Sequence, residues 1–211
     1  MKDLGLFINS DLKWTNYIEK VQHKSCNLSH LILKSFKSKN ASLYIFLYKT
    51  YIRPILEYNA SIWSPNLIKD LVLAENTQKT FTRKLCKKLN LKYNSYTHRL
   101  DILHLESLEL RRVKCDLILV YKLINKLLDV NDTNFFTLSE IHSKYTLRRN
   151  SLYLLKPKSF RTSIRENFFS NRIVNTWNKL PNYIVTSSNL TIFKKNINNF
   201  SLHTIYKFYY K

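Results

Sequence analysis

Apolar side chains recur every three or four positions through most of this chain, and that spacing constrains the fold more than any other feature of the sequence. A helix with this spacing carries one apolar stripe, which must pack against another element. In the segment 67–88, five apolar residues fall within a sector of about 80° at about 100° per residue. They are Leu67, Leu71, Ala74, Phe81 and Leu85. The pattern predicts a mainly α fold made of several packed helices.

Periodicity and capping residues together set the expected helices. They cover residues 15–36, 42–63, 67–88, 95–103, 107–128, 163–179 and 189–200. The expected N-caps are Ser42, Asn66, Ser107 and Asn189. Each has a short polar side chain that can accept a hydrogen bond from a free helix amide. Pro54 should break the second helix, because proline lacks an amide hydrogen and clashes with the preceding turn.

Two short strand regions accompany the helices. Residues 4–8 form an apolar run, followed by turn residues, and no neighbouring segment offers them a partner strand. We therefore expect an orphan N-terminal strand whose sheet lies upstream of this chain. Residues 151–155 and 160–162 predict a small β-hairpin before a C-terminal helical module.

The chain is strongly basic. It has 35 Lys and Arg residues against 14 Asp and Glu residues, which gives a formal net charge of +21. Such a charge repels itself unless an anion lies nearby, so nucleic acid is the first expected partner and an acidic membrane surface the second. A coding sequence rich in A and T would also raise the lysine content without any functional cause.

Cysteine usage and hydropathy indicate the compartment. Cys26, Cys86 and Cys115 are odd in number and far apart, which argues against a disulfide framework and favours an intracellular location, in the nucleus or the cytoplasm. The sequence has no run of about 20 uncharged apolar residues, so no transmembrane span is predicted.

The sequence offers little for catalysis. Its acidic residues are scattered, whereas polymerases and nucleases hold divalent metal ions between clustered carboxylates. A single glycine, Gly5, excludes a glycine-rich phosphate loop. We expect no enzymatic activity, no catalytic residues and no cofactor. His23, Cys26 and His30 have a helical spacing that could hold zinc, but three residues on one helix are more typical of a core edge, and no metal site is predicted.

Basic residues form two clusters that predict nucleic-acid contacts. The first lies on the helix 67–88, opposite its apolar sector, and in the loop after it. Its members are Lys79, Arg83, Lys84, Lys87, Lys88 and Lys92, with no acid between the first and the last. A solvated helix face usually mixes charges of both signs, so this face favours binding to phosphates.

The second cluster lies between residues 144 and 172, where Glu166 is the only acid. Its candidate nucleic-acid-binding residues are Arg148, Arg149, Lys158, Arg161, Arg165 and Arg172. Tyr145, Tyr153 and Phe160 lie among them. Cations for phosphates and rings for base stacking are typical of a grip on single strands or hybrids, although these rings could equally belong to the core.

Several motifs in order give the chain a resemblance to a known family. They are Leu4-Gly5 with Leu12, Trp14 and Ile18; Tyr48-Lys49-Thr50; Arg53-Pro54-Ile55-Leu56-Glu57-Tyr58; Ile62-Trp63-Ser64-Pro65; Gln78-Lys79 with Phe81-Thr82-Arg83; Leu105-Glu106-Ser107-Leu108-Glu109 with Arg111-Arg112, Asp116-Leu117 and Val120-Tyr121-Lys122; and Arg165, Phe168-Phe169-Ser170, Arg172, Trp177-Asn178 and Leu180-Pro181. Over most of its length the chain resembles the region that follows the catalytic palm in jockey-like LINE (non-long-terminal-repeat) retrotransposon reverse transcriptases. It departs from the family at Asn59 and His104, where a cysteine and a small residue are common.

The resemblance implies a multi-helix, thumb-like bundle that grips a template–primer duplex of RNA or DNA. The palm, with its metal-binding aspartates, and the endonuclease of such elements would lie before Met1. The palm of an intact element is then a further expected partner. The expected organisation is a strand leading from palm to thumb at 1–12, a helical thumb-like domain at 13–128, a linker at 129–150 and a C-terminal module at 151–211.

Two alternatives to a nucleic-acid-binding fragment stay open at this point. The chain could be an inert remnant of a decayed element. It could also be a peripheral membrane protein that binds through basic amphipathic helices.

Overall fold

The computed structural model describes residues 1–130, 135–137, 154–156 and 159–209. The chain divides into two compact units: unit 1 comprises residues 1–112 with 209–211, and unit 2 comprises residues 113–208. Both are built mainly from helices, so the predicted mainly α class is confirmed.

A two-stranded antiparallel hairpin opens unit 1. Strand β1 (Lys2–Asp3) pairs with β2 (Leu6–Phe7), so the expectation of an orphan strand was wrong. The chain reverses through Leu4 and Gly5, whose φ angles of 42° and 85° lie in the left-handed region. Two successive positive φ angles are what a tight two-residue hairpin turn requires, and a glycine meets that requirement without steric cost.

Six helices follow in unit 1. They are α1 (Thr15–Ser35), α2 (Ala41–Leu47), α3 (Arg53–Glu57), α4 (Ala60–Trp63), α5 (Ile68–Lys88) and α6 (Tyr96–Ile102). Two of the predicted caps shift slightly. Asn40, rather than Ser42, caps α2, since its side-chain oxygen accepts from the Ser42 amide at 2.9 Å. Leu67 occupies the N-cap position of α5 in place of Asn66.

Helical backbone runs from Ala41 to Glu57 without a gap, so at the expected break near Pro54 the helix changes type and does not end. A π-helical turn (Tyr48–Ile52) leads into α3, and Pro54 lies in the first turn of that helix. Asn59, with a left-handed φ of 50°, separates α3 from α4.

Aromatic side chains fill the interior of unit 1. The rings of Tyr48 and Phe81 stack with centroids 4.9 Å apart, and both residues are fully buried. Trp63 is 1% exposed, as the sequence predicts, and its ring lies 5.5 Å from that of Tyr17. These contacts pack the π-helical turn against α5 and α4 against α1.

Helix α7 (Leu108–Ile124) begins in unit 1 and continues into unit 2. Ser107 caps it as predicted, accepting from the Leu110 amide at 3.2 Å. Within unit 2, Tyr121 of α7 stacks on Phe193 with ring centroids 4.3 Å apart. The units therefore divide after Arg112, upstream of the linker expected at 129–150, because the later turns of α7 pack with the C-terminal helices.

The described C-terminal part of unit 2 contains five short α-helices, besides a 3₁₀ turn at Leu202–Thr204. They are α8 (Ser163–Glu166), α9 (Phe169–Arg172), α10 (Val174–Asn178), α11 (Asn182–Val185) and α12 (Leu190–Asn199). The single helix expected at 163–179 is thus three helices. Asn167 and Asn171 donate to the carbonyls of Ser163 and Arg165, bonds that compete with helix propagation. Asn189 caps α12 as predicted.

Trp177 is 1% exposed, so its predicted burial is confirmed. The hairpin expected at 151–162 falls partly outside the described residues. Within them, the Lys156 amide donates to the Thr137 carbonyl at 2.8 Å, and residues 160–162 do not form a strand. No described helix is long and apolar enough to cross a membrane.

Candidate nucleic-acid interface

Helices α1 and α5 lie side by side and run in the same direction. Three side-chain contacts give their register: Thr15 Oγ1 to Asp70 Oδ2 at 3.0 Å, Ser25 Oγ to Thr77 Oγ1 at 2.9 Å, and Lys84 Nζ to His30 Nε2 at 2.7 Å. Residue numbers rise together on the two helices, so the pair is parallel. The sequence predicts both helices but not this pairing.

The pairing extends the basic surface of α5 onto α1. We define the α1–α5 basic face as the five exposed basic residues that flank the contact between these helices on one side. They are Arg83, Lys84 and Lys87 of α5 and His30 and Lys34 of α1. The contact between Lys84 and His30 fixes the alignment, and Lys34 lies one turn beyond His30 on the same side of α1. Because an ammonium only donates, His30 Nε2 is the acceptor in this bond.

Acidic residues on these two helices do not offset the charge of the face. The acids of α1 and α5 are Glu19, Asp70 and Glu75. Asp70 and Glu75 are 3% and 0% exposed, and Glu19 lies near the beginning of α1. The exposed side of the helix pair therefore has one sign of charge over most of its length.

Arg83 and Lys87 are the most available cations of this face. Both are exposed, and neither side chain makes a hydrogen bond or ion pair with the residues that the structure describes. They lie four residues apart, so they project from neighbouring turns of α5 in nearly the same direction. Two such cations can contact successive phosphates of one strand.

Lys88, by contrast, has a structural role in addition to its charge. Its Nζ donates to the Leu33 carbonyl at 2.7 Å and to the Phe36 carbonyl, at the C-terminal end of α1. A cation at that end of a helix bonds carbonyls without helical partners and complements the helix dipole. Lys88 therefore holds α1 against α5, and we leave it out of the face.

Lys79 and Lys92 flank the face. Lys79 is half-buried, with its Nζ 5.4 Å from the centroid of the Tyr96 ring. Lys92 is exposed in the loop after α5. Of the first predicted cluster, the structure thus brings Arg83, Lys84 and Lys87 together and places Lys79, Lys88 and Lys92 at the margins.

The second predicted cluster is only partly described. Arg148, Arg149 and Lys158 lie outside the described residues. Arg161 precedes α8 and Arg165 lies within it, and both are exposed. Arg172 is different, because its guanidinium binds the Asp116 carboxylate at 2.8 Å and its side chain is 17% exposed. That ion pair fastens α9 to α7 within unit 2, so Arg172 has a structural function.

The candidate zinc ligands are occupied in other ways. The Cys26 thiol lies 3.4 Å from the Thr77 hydroxyl, His30 bonds Lys84, and His23 lies 3.4 Å from the Asn27 amide. Within the described part of the chain, no three His, Cys, Asp or Glu side chains come close enough to hold a metal ion.

A buried polar network around Glu75 is a feature that the sequence analysis missed. The Glu75 carboxylate accepts from the amides of Leu108 and Glu109 at 2.9 and 3.3 Å, and from the Tyr96 hydroxyl at 2.5 Å. The adjacent Gln78 accepts from the Tyr48 hydroxyl at 2.5 Å. Burial raises the pKa of Glu75, although the nearby charge of Arg112 opposes this shift.

The network joins α5 to the start of α7 and to the loop before it. Glu75 holds the first amides of α7, and Gln78 Nε2 donates to the Glu106 carbonyl at 2.9 Å. Buried bonds of this kind fix the orientation of α5, so the exposed side of that helix is held in place from within. The pattern in the sequence that could have predicted this network is a Glu and a Gln three residues apart within the apolar sector of α5.

A cavity of about 530 Å³ lies between the hairpin, α1 and α3. Its wall contains three lysines, Lys2, Lys20 and Lys24, and the rings of Phe7, Tyr17 and Tyr58. Lys20 Nζ lies 3.7 Å from the centroid of the Phe7 ring. Among the described residues that line the cavity none is acidic, so it adds to the basic character of unit 1.

Comparison with known proteins gives one distant relative. A stretch of 113 residues is 28% identical to the uncharacterized protein B0403.1 of Caenorhabditis elegans, covering 54% of this chain and 57% of that protein. The chain thus matches less than two thirds of that relative's length. No protein-family model matches the chain. No solved structure matches it either.

Proposed function

We propose that unit 1 is a nucleic-acid-binding, thumb-like domain whose α1–α5 basic face grips the phosphate backbone of a template–primer duplex. One observation carries this proposal. Arg83 and Lys87 are exposed, their side chains have no partner among the described residues, and they lie on a face where the charges have one sign. Phosphates would supply the missing counter-charge. The motif resemblance to LINE-type reverse transcriptases supports the same role.

The chemistry of the face favours backbone contacts over reading of bases. Besides its cations, α5 has two small polar residues at its surface, the exposed Asn76 and the half-buried Thr80. The aromatic residue of this helix, Phe81, is buried. None of the five residues that define the face is a Phe, Tyr or Trp, whereas ammonium and guanidinium groups bind phosphates of any sequence. Binding to duplexes should therefore be largely independent of sequence.

The membrane alternative has less support. A helix that binds membranes inserts its apolar side between lipids. In α1 and α5 that side is buried inside unit 1, where Ile18, Phe81 and Leu85 are no more than 1% exposed. Phosphates on lipid headgroups could still attract the face, so vesicle binding is an alternative outcome of the experiment below.

The absence of polymerase activity in the isolated chain stays a prediction.

Replacing Arg83 and Lys87 with Gln should weaken duplex binding and its salt dependence. Each phosphate contact contributes about 0.9 to the slope of log affinity against log salt on duplex DNA, so the slope should flatten by roughly two. Fluorescence anisotropy of a labelled duplex over a range of salt concentrations measures both quantities. Circular dichroism should show an unchanged fold, since both side chains point away from the core.

Lys194 and Lys195 provide the matched control. Both are exposed on α12 in unit 2, so changing them to Gln removes the same net charge from another surface. That double variant should keep nearly the full slope. Equal slopes for the wild type and the Arg83/Lys87 variant would contradict the proposed face. Binding to anionic vesicles without binding to duplexes would favour the membrane alternative instead.

A further inference from the structure

An arginine close to two aromatic rings lies on the surface of unit 2. The guanidinium carbon of Arg165 is 6.0 Å from the centroid of the Phe160 ring and 5.5 Å from that of the Phe168 ring. Phe168 is 41% exposed, and Arg165 is also exposed. We call these three residues the Phe160–Arg165–Phe168 cluster. It combines flat apolar rings with a cation within about 6 Å of their centroids.

Polar side chains hold the backbone beneath this cluster. The Thr162 hydroxyl accepts from the Arg165 amide at 3.4 Å, and Asn167 donates to the Ser163 carbonyl at 2.7 Å. Asn171 donates to the Arg165 carbonyl at 2.5 Å. These bonds fix α8 and the start of α9 without using the guanidinium of Arg165 or the ring of Phe168. A ligand would meet a surface that is already ordered, which lowers the entropic cost of binding.

The charge around the cluster favours an anionic ligand. The guanidinium of Arg165 makes no hydrogen bond or ion pair with any described residue, and Arg161 is exposed close by in sequence. Glu166 is the only acid between residues 141 and 211. A guanidinium presents five N–H donors that match the geometry of phosphate oxygens.

We propose that the Phe160–Arg165–Phe168 cluster is a binding site for single-stranded nucleic acid. An unpaired base stacks on the exposed ring of Phe168, while Arg165, aided by Arg161, holds the adjacent phosphates. In a duplex the base faces are covered by neighbouring bases, so a ring on the protein surface gains contact only with unpaired bases. The site goes beyond the duplex grip of unit 1 and does not depend on it.

An acidic peptide fits the cluster less well. Its carboxylates could bind Arg165, but they have no flat π surface to cover Phe168, so much of the ring would stay in water. A base joined to a phosphate satisfies both groups at once. Removal of the Phe168 ring should therefore weaken the binding of nucleic acid more than the binding of an acidic peptide.

The test uses the full chain and a labelled single-stranded 12-mer of thymidine nucleotides, with affinity measured by fluorescence anisotropy. Phe168→Leu keeps an apolar side chain and removes the ring. Stacking of one base on an aromatic ring contributes enough binding for a loss of about tenfold. Duplex affinity should stay unchanged, and so should binding to polyphosphate, which has phosphates but no bases. Arg165→Gln should weaken binding to the single strand and reduce its salt dependence.

Tyr183→Leu is the matched control, because it removes a ring that is 60% exposed elsewhere in unit 2. It should leave single-strand affinity intact. The proposal is overturned if Phe168→Leu binds the single strand as tightly as the wild type, or if Tyr183→Leu loses as much. The proposal would also be overturned if Phe168→Leu lost as much affinity for polyphosphate or for polyglutamate as for the single strand, since neither polymer has a base. These outcomes do not depend on whether unit 1 binds duplexes.

Discussion

Glu75→Ala should lower the free energy of unfolding by about 3–5 kcal/mol, the range observed when one partner of a buried charge pair is removed. The substitution leaves the amides of Leu108 and Glu109 without their acceptor, and it removes the carboxylate that attracts the buried Arg112 side chain. A buried donor without a partner costs its full desolvation penalty. Urea unfolding followed by circular dichroism measures the change.

Glu19→Ala is the control for this loss, since Glu19 is exposed on α1. Surface substitutions of this type usually change stability by no more than about 0.5 kcal/mol. If Glu75→Ala were as stable as Glu19→Ala, the buried network would not be what holds α5 against the start of α7.

The charge of Glu75 adds a pH dependence to the same network. Burial raises the pKa of this carboxyl above its ordinary value of 4.5 in the folded chain. A group with a raised folded pKa takes up its proton in the folded state before it does so in the unfolded state. As the pH falls from 7 toward 4.5, the wild type should therefore gain stability relative to Glu75→Gln, which does not titrate. A wild type that loses stability relative to Glu75→Gln as the pH falls over this range would contradict the assignment.

Trp63→Ala should destabilise unit 1 by about 3–5 kcal/mol, as expected for removal of a large buried aromatic side chain. The indole packs against Tyr17, and its Nε1 donates to the Tyr58 carbonyl at 2.6 Å. Trp63→Phe should cost less, because it keeps most of the apolar volume and loses only this hydrogen bond and part of the packing. Chemical denaturation at constant temperature gives both values.

Ile62, the neighbour of Trp63, provides a control because it is 49% exposed. Ile62→Ala should change stability much less than Trp63→Ala. Comparable losses at the two positions would mean that the stability of α4 comes from its helical conformation and not from the buried indole.

The elements of the fold could be predicted from the sequence where local signals dominate. Apolar periodicity predicts α1 and α5, Pro54 predicts the irregular helix around the π-helical turn, and Ser107 predicts the start of α7. Each is a property of residues close together in the chain. The hairpin at the N-terminus was missed because Lys2 and Asp3 are polar and give no strand signal, although they pair with Leu6 and Phe7.

The candidate interface could be predicted only in part, because half of it depends on tertiary contacts. The basic side of α5 is visible in sequence, whereas the addition of His30 and Lys34 requires the parallel pairing of α1 with α5. Lys88 resembles Lys87 in sequence, yet it reaches the end of α1 and bonds carbonyls there. Helical position alone does not separate a lysine available to a ligand from one that holds two helices together.

The central claim, that the α1–α5 basic face contacts duplex phosphates, is tested most directly by lysine footprinting. The full chain is acetylated briefly with and without a saturating duplex, and mass spectrometry gives the reactivity of each lysine. Lys34 and Lys87 should be protected several-fold by the duplex, while Lys194 and Lys195 in unit 2 keep their reactivity. Equal reactivity of Lys34 and Lys87 with and without duplex, or equal protection of all four lysines, would contradict the account.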